Sequence, residues 1–123
     1  MDIVLNGQGV PYYHQIKSQI ASAILSGALP AGSRLPSIRQ LAMELSISVI
    51  TTKRAYTDLE LEGYITTIPG KGTYVSDNAR PRLEGLVMEK SAGILKTAID
   101  EALSLGLSRE SIIQIFHDII KGA

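Results

Sequence analysis

The chain has 123 residues, 45% apolar and 20% charged, which excludes a disordered segment and fits one compact domain, or a small domain with an appendage. Its twelve basic and twelve acidic residues cancel, so bulk charge selects no partner, and a nucleic-acid binder of this composition needs a locally basic face. The absence of cysteine rules out a disulfide framework, a thiolate nucleophile and a zinc–thiolate site; with no apolar run of ~20 residues and no charged-then-apolar leader, a cytoplasmic protein without membrane contact is expected.

Pro11 suits a first helical turn, and Ile16, Ile20, Ala23 and Ile24 recur at helical spacing up to Gly27. A first helix is predicted over about 11–26. LPAGSRLP (29–36), with two prolines and a glycine, reads as a loop. Ser37 and Gln40 form an S-x-x-Q capping box ahead of Ile38, Leu41, Ala42 and Leu45, which predicts a second helix over 38–45. SIS (46–48) is a three-residue break, and Ser48 can cap the next helix, which runs to Glu62 and stops at Gly63. Its inward face is Thr52, Ala55, Tyr56 and Leu59; Val49, Ile50, Lys53 and Arg54 point outward.

YITTIPGKGTYV (64–75) holds two β-rich runs around Pro-Gly-Lys-Gly, a hairpin signal. Short helices, a tight break and then a hairpin give the order of a winged helix-turn-helix. SDNARPR (76–82) reads as a polar linker. Beyond it, Leu83, Leu86, Val87, Ile94, Leu95, Ala98, Ala102 and Leu105 predict one helix with Gly93 inside it, ended by Gly106. Ser108 caps a last helix carrying Ile112, Ile113, Phe116, Ile119 and Ile120.

The expected fold is thus mainly α with a small β-hairpin: a winged helix-turn-helix over 1–76, then a two-helix dimerisation tail over 77–123. Two helices cannot enclose a core of their own, and domains that small need a partner, a metal or a disulfide. A second copy related by a two-fold axis is the commonest partner. The dimer seam is expected on Leu95, Ile99, Leu103, Ile112, Ile113, Phe116, Ile119 and Ile120.

The third helix spends its charge backwards. Its basic pair, Lys53-Arg54, follows β-branched and hydroxyl residues, while Asp58, Glu60 and Glu62 crowd the carboxyl half, where the helix dipole disfavours them. Helices that read the major groove bring their amino end to the base edges and keep the far end away. Thr51 can hydrogen-bond to a base or phosphate, Val49 and Ile50 can touch thymine methyls, and Lys53 reaches phosphate or guanine. Gly70-Lys71-Gly72 places a cation on a thin hairpin tip, and Arg39 completes a triangle with Lys53 and Lys71. As a nucleotide-binding loop the Gly-x-Gly fails, for it lacks a third glycine and a following helix. His14 and His117 are distant in sequence and no carboxylate pair has motif spacing, so no catalytic residue, metal ligand or cofactor is expected.

LPSIRQLAMELSISVITTKRAYTDLELEGYITTIPGKGTYV (35–75) resembles the winged helix-turn-helix of the GntR family of bacterial transcription regulators. The resemblance lies in Leu35-Pro36-Ser37-x-Arg39-x-Leu41-Ala42, in Leu59-Glu60-x-Glu62-Gly63-Tyr64-Ile65 and in Gly70-x-Gly72-Thr73-Tyr74-Val75. Pro11-Tyr12-Tyr13-His14-Gln15-Ile16 is similar to the family's first helix, and AIDEALSLGLSRESI (98–112) to the short tail of its YtrA-like subfamily. The resemblance implies a homodimeric regulator, a repressor, on an inverted-repeat duplex operator. It places Arg39, Ser48, Val49, Ile50, Thr51, Lys53, Arg54 and the tip Gly70, Lys71 and Gly72 at the DNA. Val49 stands where many relatives carry a guanine-reading arginine. The resemblance also admits a small-molecule effector, which the sequence does not identify. The competing expectation, favoured by net neutrality, is a winged-helix module for protein contact with little DNA affinity.

Overall fold

The computed structural model describes residues 1–123. Helix α1, Tyr12–Ser26, turns Ile16, Ile20 and Ile24 into the core. Pro11 stands at its N-cap rather than inside the first turn, and its carbonyl accepts from the His14 and Gln15 N–H groups at 3.1 Å each. The unpredicted amino-terminal arm is tied to this helix by side-chain amides that imitate a strand partner. Gln19 accepts from Val4 N–H at 2.9 Å and donates to Val4 O at 2.8 Å. One turn earlier, the buried Gln15 does the same with Asn6, at 2.9 Å in both directions.

Helices α2, Ile38–Leu45, and α3, Val49–Leu61, form because local signals agree with burial. Ser37 Oγ accepts from Gln40 N–H at 3.1 Å. The reciprocal half of the capping box is absent, since the Gln40 amide turns along the helix to Glu44 at 3.2 Å. Between the helices Ser46 adopts a left-handed φ of 55°, a geometry tolerated here because it gives the tight turn its corner. The helix-three stripe Thr52, Ala55, Tyr56 and Leu59 is buried as expected, and Gly63 at φ 86° follows the helix.

Strands β2, Ile65–Ile68, and β3, Gly72–Val75, make the expected hairpin, but the sheet has a third strand. Residues 29–36 are not only loop: β1, Arg34–Leu35, pairs antiparallel with β3, Arg34 opposite Tyr74 and Leu35 opposite Thr73. A two-residue strand shows no alternation in sequence. It forms because Leu35 is drawn into the core, 3% exposed.

Residues 76–82 are not a linker either. Helix α4, Ala79–Ser104, begins within them, with Pro81 in its first turn, where a missing N–H costs nothing. Ala79 and Leu83 are buried with Ile24, Leu35 and Val75 in the same core. The chain forms two compact units, Met1–Gly85 and Leu86–Ala123. The boundary therefore lies beyond the expected 76/77 division, because the first turns of α4 complete the winged-helix core. The second unit holds the rest of α4 and helix α5, Arg109–Gly122, capped by Ser108 Oγ on Ser111 N–H at 3.1 Å.

Candidate nucleic-acid interface

The amino end of α3 is built by its cap. Ser48 Oγ accepts from Thr51 N–H at 3.1 Å and lies 2.8 Å from Thr51 Oγ1, so two hydroxyls and a backbone amide share one small polar cluster. Thr52, fully buried, donates back to Ser48 O at 3.2 Å. With these polar groups bonded to one another, the same turn leaves Val49 42% and Ile50 81% exposed. These apolar side chains open to water while the opposite face of the helix is packed.

The acids of α3 are each engaged inside the protein. Lys17 of α1 meets Glu62 at 2.6 Å and Asp58 at 3.4 Å. Burial alone would lower the Lys17 pKa, but its hydrogen bond to Glu62 and the charges of Glu62 and Asp58 outweigh this and leave it raised. Glu60 accepts from Thr67 Oγ1 of the wing at 2.7 Å. Arg82, from the first turn of α4, donates to Glu62 O at 2.8 Å at the end of α3, where a cation suits the helix dipole. The carboxylates placed unfavourably along the helix are thus held by one cation from α1 and one hydroxyl from β2.

The cations at the other end have no such partners. Arg39, in the first turn of α2, and Lys53 of α3 are exposed and join no ion pair. Lys53 borders a cleft of about 160 Å³ between α3 and the wing, lined also by Ile38, Thr57, Leu61 and Thr67. Tyr56 closes the base of this region; its hydroxyl donates to Pro36 O at 2.7 Å, and burial with the nearby Glu44 charge pushes its phenol pKa up. Arg54 is outward and exposed, but its guanidinium stacks over the Tyr13 ring of α1 at 3.8 Å, so it is aimed by another element.

At the wing tip the turn closes by Lys71 N–H to Ile68 O at 3.0 Å, and Tyr74 donates its hydroxyl to Lys71 O at 3.2 Å. Gly70 and Gly72 take φ values of 76° and 137°, which a side chain would strain. Arg34, absent from the residues expected at this site, lies beside Gly72. Its guanidinium occupies the space a Gly72 side chain would need. No local sequence signal marks it, because β1 exists only through its pairing with β3.

The expected seam residues of the tail are open. Leu95, Ile99, Leu103, Ile113, Phe116, Ile119 and Ile120 are between 40% and 66% exposed. Only Ile112 and Ala102 are partly covered within Leu86–Ala123, and nothing there is buried.

Three short helices, a left-handed corner ahead of α3 and a three-stranded sheet ending in a glycine-flanked cation define a winged helix-turn-helix. Residues 12–75 match the family described as bacterial regulatory proteins, gntR family, and the chain belongs to that family. It is similar to the HTH-type transcriptional repressor YtrA of Bacillus subtilis (strain 168), with 37% identity covering 90% of this chain and 82% of the relative. A transcriptional regulator from Oenococcus oeni superposes with a TM-score of 0.81 at 30% identity, covering 98% of this chain and 99% of the other. The DNA-binding domain of AraR in complex with operator ORX1 superposes with a TM-score of 0.55 at 26% identity, over 62% of this chain and 96% of that one.

Proposed function

We propose that this chain is a homodimeric, sequence-specific DNA-binding transcription repressor, with α3 of each protomer in one of two successive major grooves of an inverted-repeat operator. The observation that carries this reading is the division of charge along α3. Asp58, Glu60 and Glu62 are each bound inside the protein, whereas Arg39, Lys53 and Lys71 keep free charges on α2, α3 and the wing. A neutral protein acquires a locally basic face in this way, and phosphate is its natural counter-ion. The likeness to a domain crystallised on its operator supports the same reading.

Roles follow from position. Val49 and Ile50 contact thymine methyls, Thr51 hydrogen-bonds to a base edge, Lys53 reaches a guanine or a phosphate, and Lys71 carries the wing to the flanking backbone. Ser48 holds the reading turn in shape, and Arg54, steered by Tyr13, adds a backbone contact. Dimerisation is the role of the tail, whose exposed leucine and isoleucine stripes have no cover within the chain. Bound operator is thereby denied to RNA polymerase.

Selection of duplexes from a random pool, followed by gel-shift titration, tests the reading. The expected product is an inverted repeat with half-site centres about one helical turn apart. Thr51→Ala shifts preference among sequences, whereas Lys71→Ala weakens binding to all duplexes alike. Recovery of no sequence, with both variants binding as the parent does, would leave the protein-contact reading in its place.

A further inference from the structure

The outer face of the wing holds a cation that the helix-turn-helix pattern does not include. Arg34 stands opposite Tyr74 on β1, and in an antiparallel pair its diagonal neighbour on the same face is Gly72, two residues nearer the tip. The side chain extends along that diagonal. A Cβ built on Gly72 would lie 2.9 Å from Arg34 Nε, 3.2 Å from Nη2 and 3.4 Å from Cζ. The missing side chain of Gly72 is therefore the seat of the guanidinium. The floor is firm, for the tip is pinned from the same face by Tyr74 Oη on Lys71 O at 3.2 Å.

Arg34 is exposed, and neither it nor Lys71, the residue before Gly72, joins an ion pair. With no carboxylate within ion-pair distance of either, both charges stay available to an anion. A guanidinium seated against Gly72 is also partly ordered before binding, so less rotamer freedom is lost on contact. Resting on the DNA-binding reading above, we infer that Arg34 is a second backbone-phosphate contact of the wing, seated by Gly72 and acting beside Lys71 without regard to base sequence.

Fluorescence-anisotropy titrations of the full chain on a mixed-sequence duplex, repeated over a range of salt concentrations, test this. Arg34→Gln is expected to lower the slope of log affinity against log salt by about one unit per bound protomer, equally on any sequence. Arg34→Lys restores most of the slope, because the charge returns. Thermal melts matching the parent for Arg34→Gln keep folding out of the comparison. An Arg34→Gln slope equal to the parent's, with Lys71→Ala lowering it, would overturn this inference and leave the DNA reading standing. Failure of the parent chain to bind any duplex would overturn both.

Discussion

Helix α4 offers a comparison within a single element. Ala79 and Leu83 are 0% and 4% exposed, whereas Leu86, Val87 and Met88, on the next turn, are 37%, 45% and 73% exposed. The residue types are alike and the backbone is continuous. What differs is what surrounds them. The unit Met1–Gly85 has three helices and a sheet to close around its aliphatic side chains, while Leu86–Ala123 has two helices and nothing more. Apolar side chains define a core only when enough elements exist to enclose them. The winged helix thus encloses its own core, and the apolar residues of the tail stay open within the chain.

Substitution in each unit sharpens this contrast, and the largest effect falls in the first. Ile20 is fully buried, so Ile20→Ala should cost the winged helix roughly 2–5 kcal/mol, read as a lower urea midpoint at unchanged slope. Phe116→Ala, at a residue 42% exposed, should leave that midpoint in place and instead weaken self-association by roughly tenfold or more in sedimentation. Equal losses of winged-helix stability from both variants would erase the distinction between the units.

Where the chain is cut gives the next effect in size. A fragment of residues 1–85 keeps Ala79, Leu83 and the Arg82 contact at the end of α3; one of residues 1–76 loses all three. The shorter fragment should be less stable by roughly 2 kcal/mol or more, since a buried leucine is removed outright. Both should sediment as monomers and hold a half-site feebly. A dimeric 1–85 fragment would place the interface outside the tail.

The same contrast explains what could be read in the residues beforehand. Helices α2 and α3, their serine caps and the buried Thr52–Leu59 stripe follow from signals within a few residues of each other, and they were legible. Strand β1 and the start of α4 in a polar stretch depend on partners far away in the chain, outside any local window; the Gln15 and Gln19 ties to the arm span nine and fifteen residues and follow no periodic pattern. For the site, the exposed turn from Ser48 to Lys53 and the glycine-flanked tip were visible. Arg34 and the Tyr13 platform under Arg54 were not, for each is defined by a cross-element contact.

Helix caps compare the two units at a smaller scale. Ser48 and Ser108 make the same bond, each accepting a backbone N–H three residues on at 3.1 Å. Ser48→Ala should destabilise the winged helix by about 1 kcal/mol and loosen Thr51, whose hydroxyl it also meets. Ser108→Ala should leave the urea midpoint of the winged helix alone and reduce only the helicity and self-association of the tail. A lower winged-helix midpoint from Ser108→Ala would show the first unit leaning on the second.

Alkaline pH gives the smallest effect and separates the units by chemistry. Lys17 and Tyr56 both have folded-state pKa values raised above their usual 10.5 and 10.0. As pH climbs past about 10 the unfolded chain releases these protons first, while the folded chain still holds them. Fewer protons on the unfolded state mean that stability falls with rising pH. Their contribution is complete below pH 10 and lost as pH passes the raised values. In the tail the corresponding group, Lys96, is also raised, by its hydrogen bond to Asp100, but that pair is solvent-exposed and contributes little. Urea midpoints from pH 8 to 11 should therefore decline for the 1–85 fragment, and Tyr56→Phe should flatten the decline while lowering the midpoint at pH 8 through loss of the bond to Pro36 O. A decline equally steep in Tyr56→Phe would move the titration away from the α3 core.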